Sequence, residues 1–236
     1  MARSANSKPV TPPSPEREQR GARRRRETHE KLLGAAFRLF AERGVDAVAI
    51  NEITEAADVG FGSFYNHFPS KETLHDVLLT RVFEQFGDAL DRMANGLEDP
   101  AEVLAASVRH ALLRTQREPL WGKLLVRQSH RGDILARGLG PRLQRDLQRG
   151  IESGRFIAPD PVMTFLVVGS TILGAVTAQT LRAEAESARM AELGALLDDL
   201  DVRTAAALLR VLGLDPAESD TIARRPLPKV ALSEEG

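Results

Sequence analysis

The chain has 236 residues, 42% of them hydrophobic and 28% charged, a composition that sustains one large or two small soluble domains and excludes a fibre or a wholly disordered chain. It contains no cysteine, which excludes disulfides, thiolate nucleophiles, cysteine-ligated zinc and redox sensing, and which fits a reducing cytoplasm. The net charge of -1 conceals an asymmetry, because Met1 to Lys31 carries nine Lys/Arg against four Asp/Glu, a basic arm suited to a polyanion.

Pro9, Pro12, Pro13 and Pro15 break up the region where a secretory signal would need its apolar core, so residues 1–21 are expected to form a disordered basic tail. Beyond it nearly every stretch has helical period and none alternates like a strand, which predicts an all-α fold. A first helix is expected from Arg24 to Arg43, with Leu32, Leu33, Ala36, Leu39 and Phe40 as its apolar stripe. Short helices follow over Ile50 to Ala57 and Phe61 to His67. Ser70 then caps a fourth, whose apolar face runs through Leu74, Leu78, Val82 and Phe86. Further helices are expected at Pro100 to Arg117, Pro119 to His130, Asp133 to Ser153, Pro161 to Glu186 and Asp199 to Leu212.

Val162 to Leu181 holds no charged residue over a length that could cross a bilayer. Its Thr, Ser and Gly content is poor lipid-facing material, and Ser170, Gly174 and Ala178 recur every four residues, so another helix can approach closely. A buried helix at a subunit interface, rather than a membrane span, is the expectation. The five histidines offer no close ligand pair, so no metal is expected. No nucleophile with a base, no carboxylate pair at metal spacing and no phosphate loop argues for an enzyme.

Two short helices held at a steep angle make a helix-turn-helix, in which the second presents its first residues to the major groove. Ile50 to Phe68 has that layout. Ile53 and Ala57 can pack under Val59 and Phe64, leaving Phe61, Gly62, Ser63, Tyr65, Asn66 and His67 outward. Hydroxyls, an amide and an imidazole suit phosphates and base edges. Lys71 puts a cation at the next helix start, and Arg23 to Arg26 can reach the DNA backbone or minor groove.

Read in order, Leu32, Leu33, Ala35, Ala36, Leu39, Phe40, Gly44, Ile53, Ala57, Val59, Gly62, Ser63, Phe64, Tyr65, His67, Phe68 and Lys71 to Leu74 resemble, without gaps, the amino-terminal signature of the TetR family of regulators. The resemblance covers Thr28 to Leu74. It implies a three-helix DNA-binding domain at 22–74 and a helical effector-binding and dimerisation domain at 75–223, while residues 224–236, with Pro226 and Pro228, are expected to be a flexible tail. It implies that Ser63, Tyr65, His67 and Lys71 touch the DNA backbone and that Phe61, Gly62 and Asn66 read bases. Arg24, Arg25, Arg26, Thr28 and Gly60 complete the expected contact set. Three positions depart from the pattern: Ala49 where Thr often caps, Asp58 where Gly usually turns, and Gly60 where Ser or Thr often holds phosphate. Asn51 is the candidate replacement cap and a further DNA contact.

The resemblance further implies a homodimer joined through the last two helices, with Phe165, Ser170, Gly174, Ala178, Ala205, Leu208, Leu209 and Leu212 at the interface, acting as a repressor of palindromic operator DNA. Trp121, beside Leu120, Leu124 and Leu125, either lines an effector pocket or packs in the core. Leu125, Gln128 and Phe86 join it as candidate pocket residues, and Arg127 and His130 as candidate polar contacts to a ligand. The apolar body favours a small hydrophobic effector, lipid-like or aromatic, and no cofactor is implied. Two rival readings stay open: a regulator without an inducer, and a non-specific DNA binder governed by salt.

Overall fold

The computed structural model describes residues 15–130, 138–183 and 197–230, and among them the chain is helix and connecting loop with no strand, as expected. The helices are α1 (Pro15–Arg43), α2 (Ile50–Ala56), α3 (Phe61–Tyr65), α4 (Lys71–Leu79), α5 (Gln85–Ala94), α6 (Pro100–Arg117), α7 (Pro119–His130), α8 (Leu139–Glu152), α9 (Pro161–Ala183), α10 (Leu200–Val211) and α11 (Pro216–Ala223). The expected helix start at Asp133 and the residues 184–186 lie outside the described residues.

A small head is built from α1, α2, α3 and the start of α4. Leu32, Leu33, Ala36 and Phe40 of α1 are buried against Ile53, Ala57, Phe64, Phe68 and Leu74. The helix begins well before the expected Arg24, and residues 15–21, expected in the disordered tail, are helical. The segment from 16 to 27 is rich in Glu, Gln and Arg, all strong helix formers, and Arg23 pairs with Glu27 one turn on at 3.3 Å.

Asn51 does not replace the missing cap of α2. Glu52 reaches back instead, its Oε2 accepting from the Ala49 N–H at 2.8 Å while Arg43 holds its other oxygen at 2.5 Å. The Arg43 and Ala49 hydrogen bonds keep the Glu52 carboxyl below its ordinary range. At the other end Asp58 N–H bonds to Glu55 O (3.1 Å) and Val59 N–H to Thr54 O (3.0 Å), a Schellman turn that puts Asp58 at φ +53°. A side chain in that left-handed region is strained, so Asp58→Gly is expected to stabilise the protein by roughly 0.5–1 kcal/mol and Asp58→Ala to destabilise it. Thermal unfolding of the two variants, with midpoints moving in opposite directions, checks this.

Ser70 Oγ accepts from Thr73 N–H at 3.2 Å and starts α4 as expected. The turn Thr80–Glu84 then widens to π-helix before α5 continues, so residues 71–94 form one rod from head to body. Trp121 packs edge-on against Phe83 and Phe86 beside this widened turn, and its Nε1 points to Val82 O at 3.5 Å. The head is also fastened from α7. Arg127 Nε donates to Ala41 O at 2.8 Å and its Nη2 to Glu42 O, a cation on the carbonyl end of α1, and the Gln128 amide lies 3.0 Å from His75 Nε2 of α4.

In the body, α9 packs one side against α6, α7, α8 and α10. It is long and apolar enough to cross a membrane, yet these contacts make it a wall of the helical body. Ala205, Leu208, Leu209 and Leu212, expected at the dimer face, are at most 1% exposed within the single chain. They face α6 and α11, the latter a helix not expected from the sequence, which Asp215 caps by accepting from Ala217 N–H at 2.8 Å. An apolar stripe says that a face is covered, not by whom.

Residues 224–230, expected to be a flexible tail, lie along α6. Arg225 pairs with Glu102, Arg109 donates to Arg225 O at 2.7 Å, and His110 Nε2 donates to Pro228 O at 2.9 Å. Burial pushes the His110 pKa below its ordinary 6.5, the Pro228 bond opposing. A histidine depressed in the fold lowers stability as pH falls, because below 6.5 the unfolded chain takes up a proton that the folded site resists until its own pKa is passed. His110→Gln is therefore expected to flatten the fall in melting temperature as pH drops below 6.5, measured by thermal scans across pH.

Candidate nucleic-acid interface and ligand cavity

The candidate DNA-facing surface is built on the five residues of α3. Phe64 is fully buried, which leaves Phe61 and Tyr65, 53% and 52% exposed, on the outer side with ring centroids 5.8 Å apart. Gly60, Gly62 and Asn66 are exposed beside them, and a Cβ added at Gly62 would meet nothing within 4 Å, so a base pair edge can come up to the backbone there. Ser63, His67 and Lys71 are half-buried. The helical start of α1 lies alongside, for Arg25 Nη2 donates to Asn66 O at 3.4 Å, and Arg24, Arg25 and Arg26 are exposed, with Thr28 half-buried one turn on. Asn51 is exposed on α2.

Lys71, expected on phosphate, donates to Val45 O at 2.9 Å and Val48 O at 2.8 Å, and so ties the loop before α2 to the start of α4. His67 sits against His29 at 5.9 Å, and His29 stacks on Phe68 at 4.7 Å. Burial first, then the charges of His29 and Arg25, lower the His67 pKa, which keeps its ring neutral in the free protein.

A partly open cavity of about 280 Å³ lies in the body between α5, α6, α7, α8 and α9. Leu90, Leu104, Val108, Leu125, Leu143 and Phe165 make it apolar, and Ser107, Ser129 and Ser170 add hydroxyls. Its charged corner is Asp91, Arg142 and Asp146. Arg142 donates to Glu84 (2.6 Å), Asp88 (2.5 Å), Asp91 (2.9 Å) and Gly138 O (2.8 Å), and Arg145 bridges Asp91 (2.6 Å) and Asp146 (2.8 Å). The guanidinium lies where a Cβ at Gly87 would meet it at 2.6 Å, a close approach only glycine permits. Burial works against the Arg142 charge, but the Glu84 and Asp91 bonds outweigh it and raise the pKa, while burial raises that of Asp146 against the pull of Arg145.

Of the four candidate pocket residues only Leu125 lines this cavity. Trp121 is core, fully buried with the Arg114 guanidinium 5.1 Å from its ring centre, and Phe86 packs with it. Gln128 is 3% exposed and borders the cleft under the loop before α2, not the cavity. The side chain of His130 lies outside the described residues. Asp91, Arg142 and Asp146 were missed. A signal existed: Glu84, Asp88 and Asp91 share one helix face by spacing, and Arg142 and Arg145 share a complementary one.

A family model described as tetracyclin repressor-like, C-terminal domain, matches residues 99–225, more than half of the chain, and one for bacterial regulatory proteins, tetR family, matches residues 32–77. The transcriptional repressor KstR2 of Rhodococcus jostii is 40% identical over 76 residues, 32% of this chain and 37% of that protein. The repressor KstR of Mycolicibacterium smegmatis is 31% identical over 118 residues, 50% of this chain and 58% of that protein. The chain thus spans only about a third to just over half of these relatives. The crystal structure of RolR in complex with resorcinol superposes with a TM-score of 0.63 at 38% identity, covering 89% of this chain and 100% of that one.

Proposed function

The chain belongs to the TetR family of bacterial regulatory proteins, and from that premise we propose that it is a cytoplasmic ligand-responsive repressor, which holds a palindromic operator as a homodimer and releases it when a small effector fills the body cavity. The observation that carries this reading is the pairing of two exposed aromatics on a five-residue helix with an arginine-rich helical arm. Tyr65, Ser63 and His67 then hold phosphates, Phe61, Gly62 and Asn66 face bases, and Arg24, Arg25 and Arg26 add salt-sensitive attraction.

The dimer face is the outward side of α9. Val162, Met163, Leu166 and Val167 are 40–69% exposed, Ser170 and Gly174 follow on the same side, and Val211 of α10 is 53% exposed. A Cβ at Gly174 would meet nothing within 4 Å, so the place is open to a partner helix. Two heads on one two-fold axis match two half-sites.

The effector class follows from the cavity. A cavity of 150 Å³ takes benzene, so 280 Å³ suits a ring with polar substituents better than a long acyl chain. The charged corner with its three serines suits hydroxyl groups, and RolR, 38% identical, was solved with resorcinol. Such a ligand would compete for Asp91 and Arg142, and Arg142 holds Glu84 in the widened turn of the rod. Moving the rod re-aims the head, and the coupling equals the effector's difference in affinity for the two arrangements. Resorcinol, phenol and palmitate, each titrated against the protein on DNA from its own upstream region, test this. Release by a single-ring phenol is expected. Release by palmitate with none by the phenols would refute the effector class.

A further inference from the structure

Two histidines meet where α1 passes the end of α3. His67 follows the last residue of α3, and His29 of α1 stands with its ring centre 5.9 Å away, stacked at 4.7 Å on the buried ring of Phe68. Both are half-buried. Arg25, four residues before His29 and so on the same side of α1, donates to Asn66 O at 3.4 Å, which brings a guanidinium to the same place. The charges that act on His67 are thus those of His29 and Arg25. The nearby acids are engaged elsewhere: Glu27 pairs with Arg23, Glu30 with Arg81, and Glu72 of α4 bonds to Ser70. Lys71 of α4 is held on the carbonyls of Val45 and Val48.

Three groups able to carry positive charge therefore converge beside the exposed side of α3, an arrangement that costs energy in the free protein and that an anion would reverse. We propose that His29 and His67 act together as a phosphate-binding pair that takes up about one proton per head when the head meets DNA, so that acidification tightens binding. This rests on the DNA-binding reading given above. A phosphate beside the pair favours its charged form, so the complex holds the proton at a higher pH than the free protein does. The linkage is reciprocal: the duplex strengthens proton binding, and the proton strengthens duplex binding by the same factor. A phosphate is present at every base pair, so the effect belongs to affinity and not to sequence choice.

Dissociation constants at about pH 8 and about pH 6 test this, for the full chain, His29→Gln, His67→Gln and, as a control, His110→Gln, on a duplex from the protein's own upstream region and on its scrambled counterpart. Thermal scans at both pH values show that each protein is folded, and calorimetry in buffers of different ionisation heat counts the protons taken up. The parent and His110→Gln are expected to bind both duplexes about tenfold or more tightly at the lower pH, with about one proton gained per head. His29→Gln and His67→Gln should each change by less than about threefold and take up almost none. A parent that binds equally at both pH values without proton uptake, or head variants that keep its pH dependence, would overturn the pair and leave DNA binding standing. Loss of the effect in His67→Gln alone would overturn the part given to His29. Binding to neither duplex at either pH would overturn the DNA-binding reading and the pair with it.

Discussion

Tyr65→Ala is expected to weaken operator binding about 100-fold while leaving the melting temperature within about 1 °C of the parent. The side chain is 52% exposed, and its ring meets only Phe61 and Phe64 in edge contacts, so the head loses little packing. A hydrogen bond to a charged group contributes roughly 1.5 kcal/mol or more, and a two-fold dimer loses two of them, about 3 kcal/mol. Phe64→Ala is the contrast. Phe64 is fully buried among α1, α2 and Phe68, and its truncation is expected to cost roughly 3–5 kcal/mol and unfold the head outright. Phe61→Ala is expected to relax sequence preference more than affinity. Fluorescence anisotropy with an operator duplex, beside thermal scans of the free proteins, separates the three.

Arg142→Ala is expected to lower stability and abolish the response to effector together. The guanidinium serves Glu84, Asp88 and Asp91 at once, and its loss leaves three neighbouring carboxylates, of which only Asp91 keeps Arg145. Breaking a fully buried ion pair costs about 3–5 kcal/mol, and the partial exposure of the carboxylates here screens that to roughly 2–3 kcal/mol. In a chain of this length that is a fall of about 5–10 °C in melting temperature. Operator binding by the folded fraction should persist, because Arg142 touches nothing in the head. Arg142→Lys is expected to recover part of the stability and little of the response, since one ammonium cannot span three carboxylates. Gly87→Ala, which displaces the guanidinium without removing it, is expected to resemble a milder Arg142→Ala. A variant that keeps its stability but loses effector-driven release would place the role of Arg142 in the ligand site alone.

Much of the fold was legible because punctuation in the sequence coincides with its physical cause. Pro100 and Pro119 begin α6 and α7 where a missing N–H costs nothing, and Ser70 and Asp58 mark a cap and a turn whose chemistry is local. The head was legible for another reason: the resemblance over Thr28 to Leu74 put Tyr65 outside and Phe64 and Phe68 inside, where ring chemistry alone would have favoured the core for Tyr65 as well. The body was less so. Ala205, Leu208, Leu209 and Leu212 were expected at a dimer face and are covered within the single chain, because periodicity carries no information on whether the cover is another chain or α6 and α11. The cavity was least legible. Asp91 and Arg142 are 51 positions apart, and only the packing of α5 on α8 makes them neighbours, whereas Trp121 drew attention by rarity and is core.

The central claim is that this head, doubled, reads one DNA sequence. The direct measurement is a gel-shift titration of the purified protein against its own upstream region and against a scrambled duplex of equal composition, at two salt concentrations, with the mass of the complex determined. The account predicts saturable binding of a dimer to one inverted repeat, preferred over the scrambled duplex at both salt concentrations. Equal binding to both duplexes, vanishing together as salt rises, would contradict it and leave a basic arm that attracts DNA without reading it.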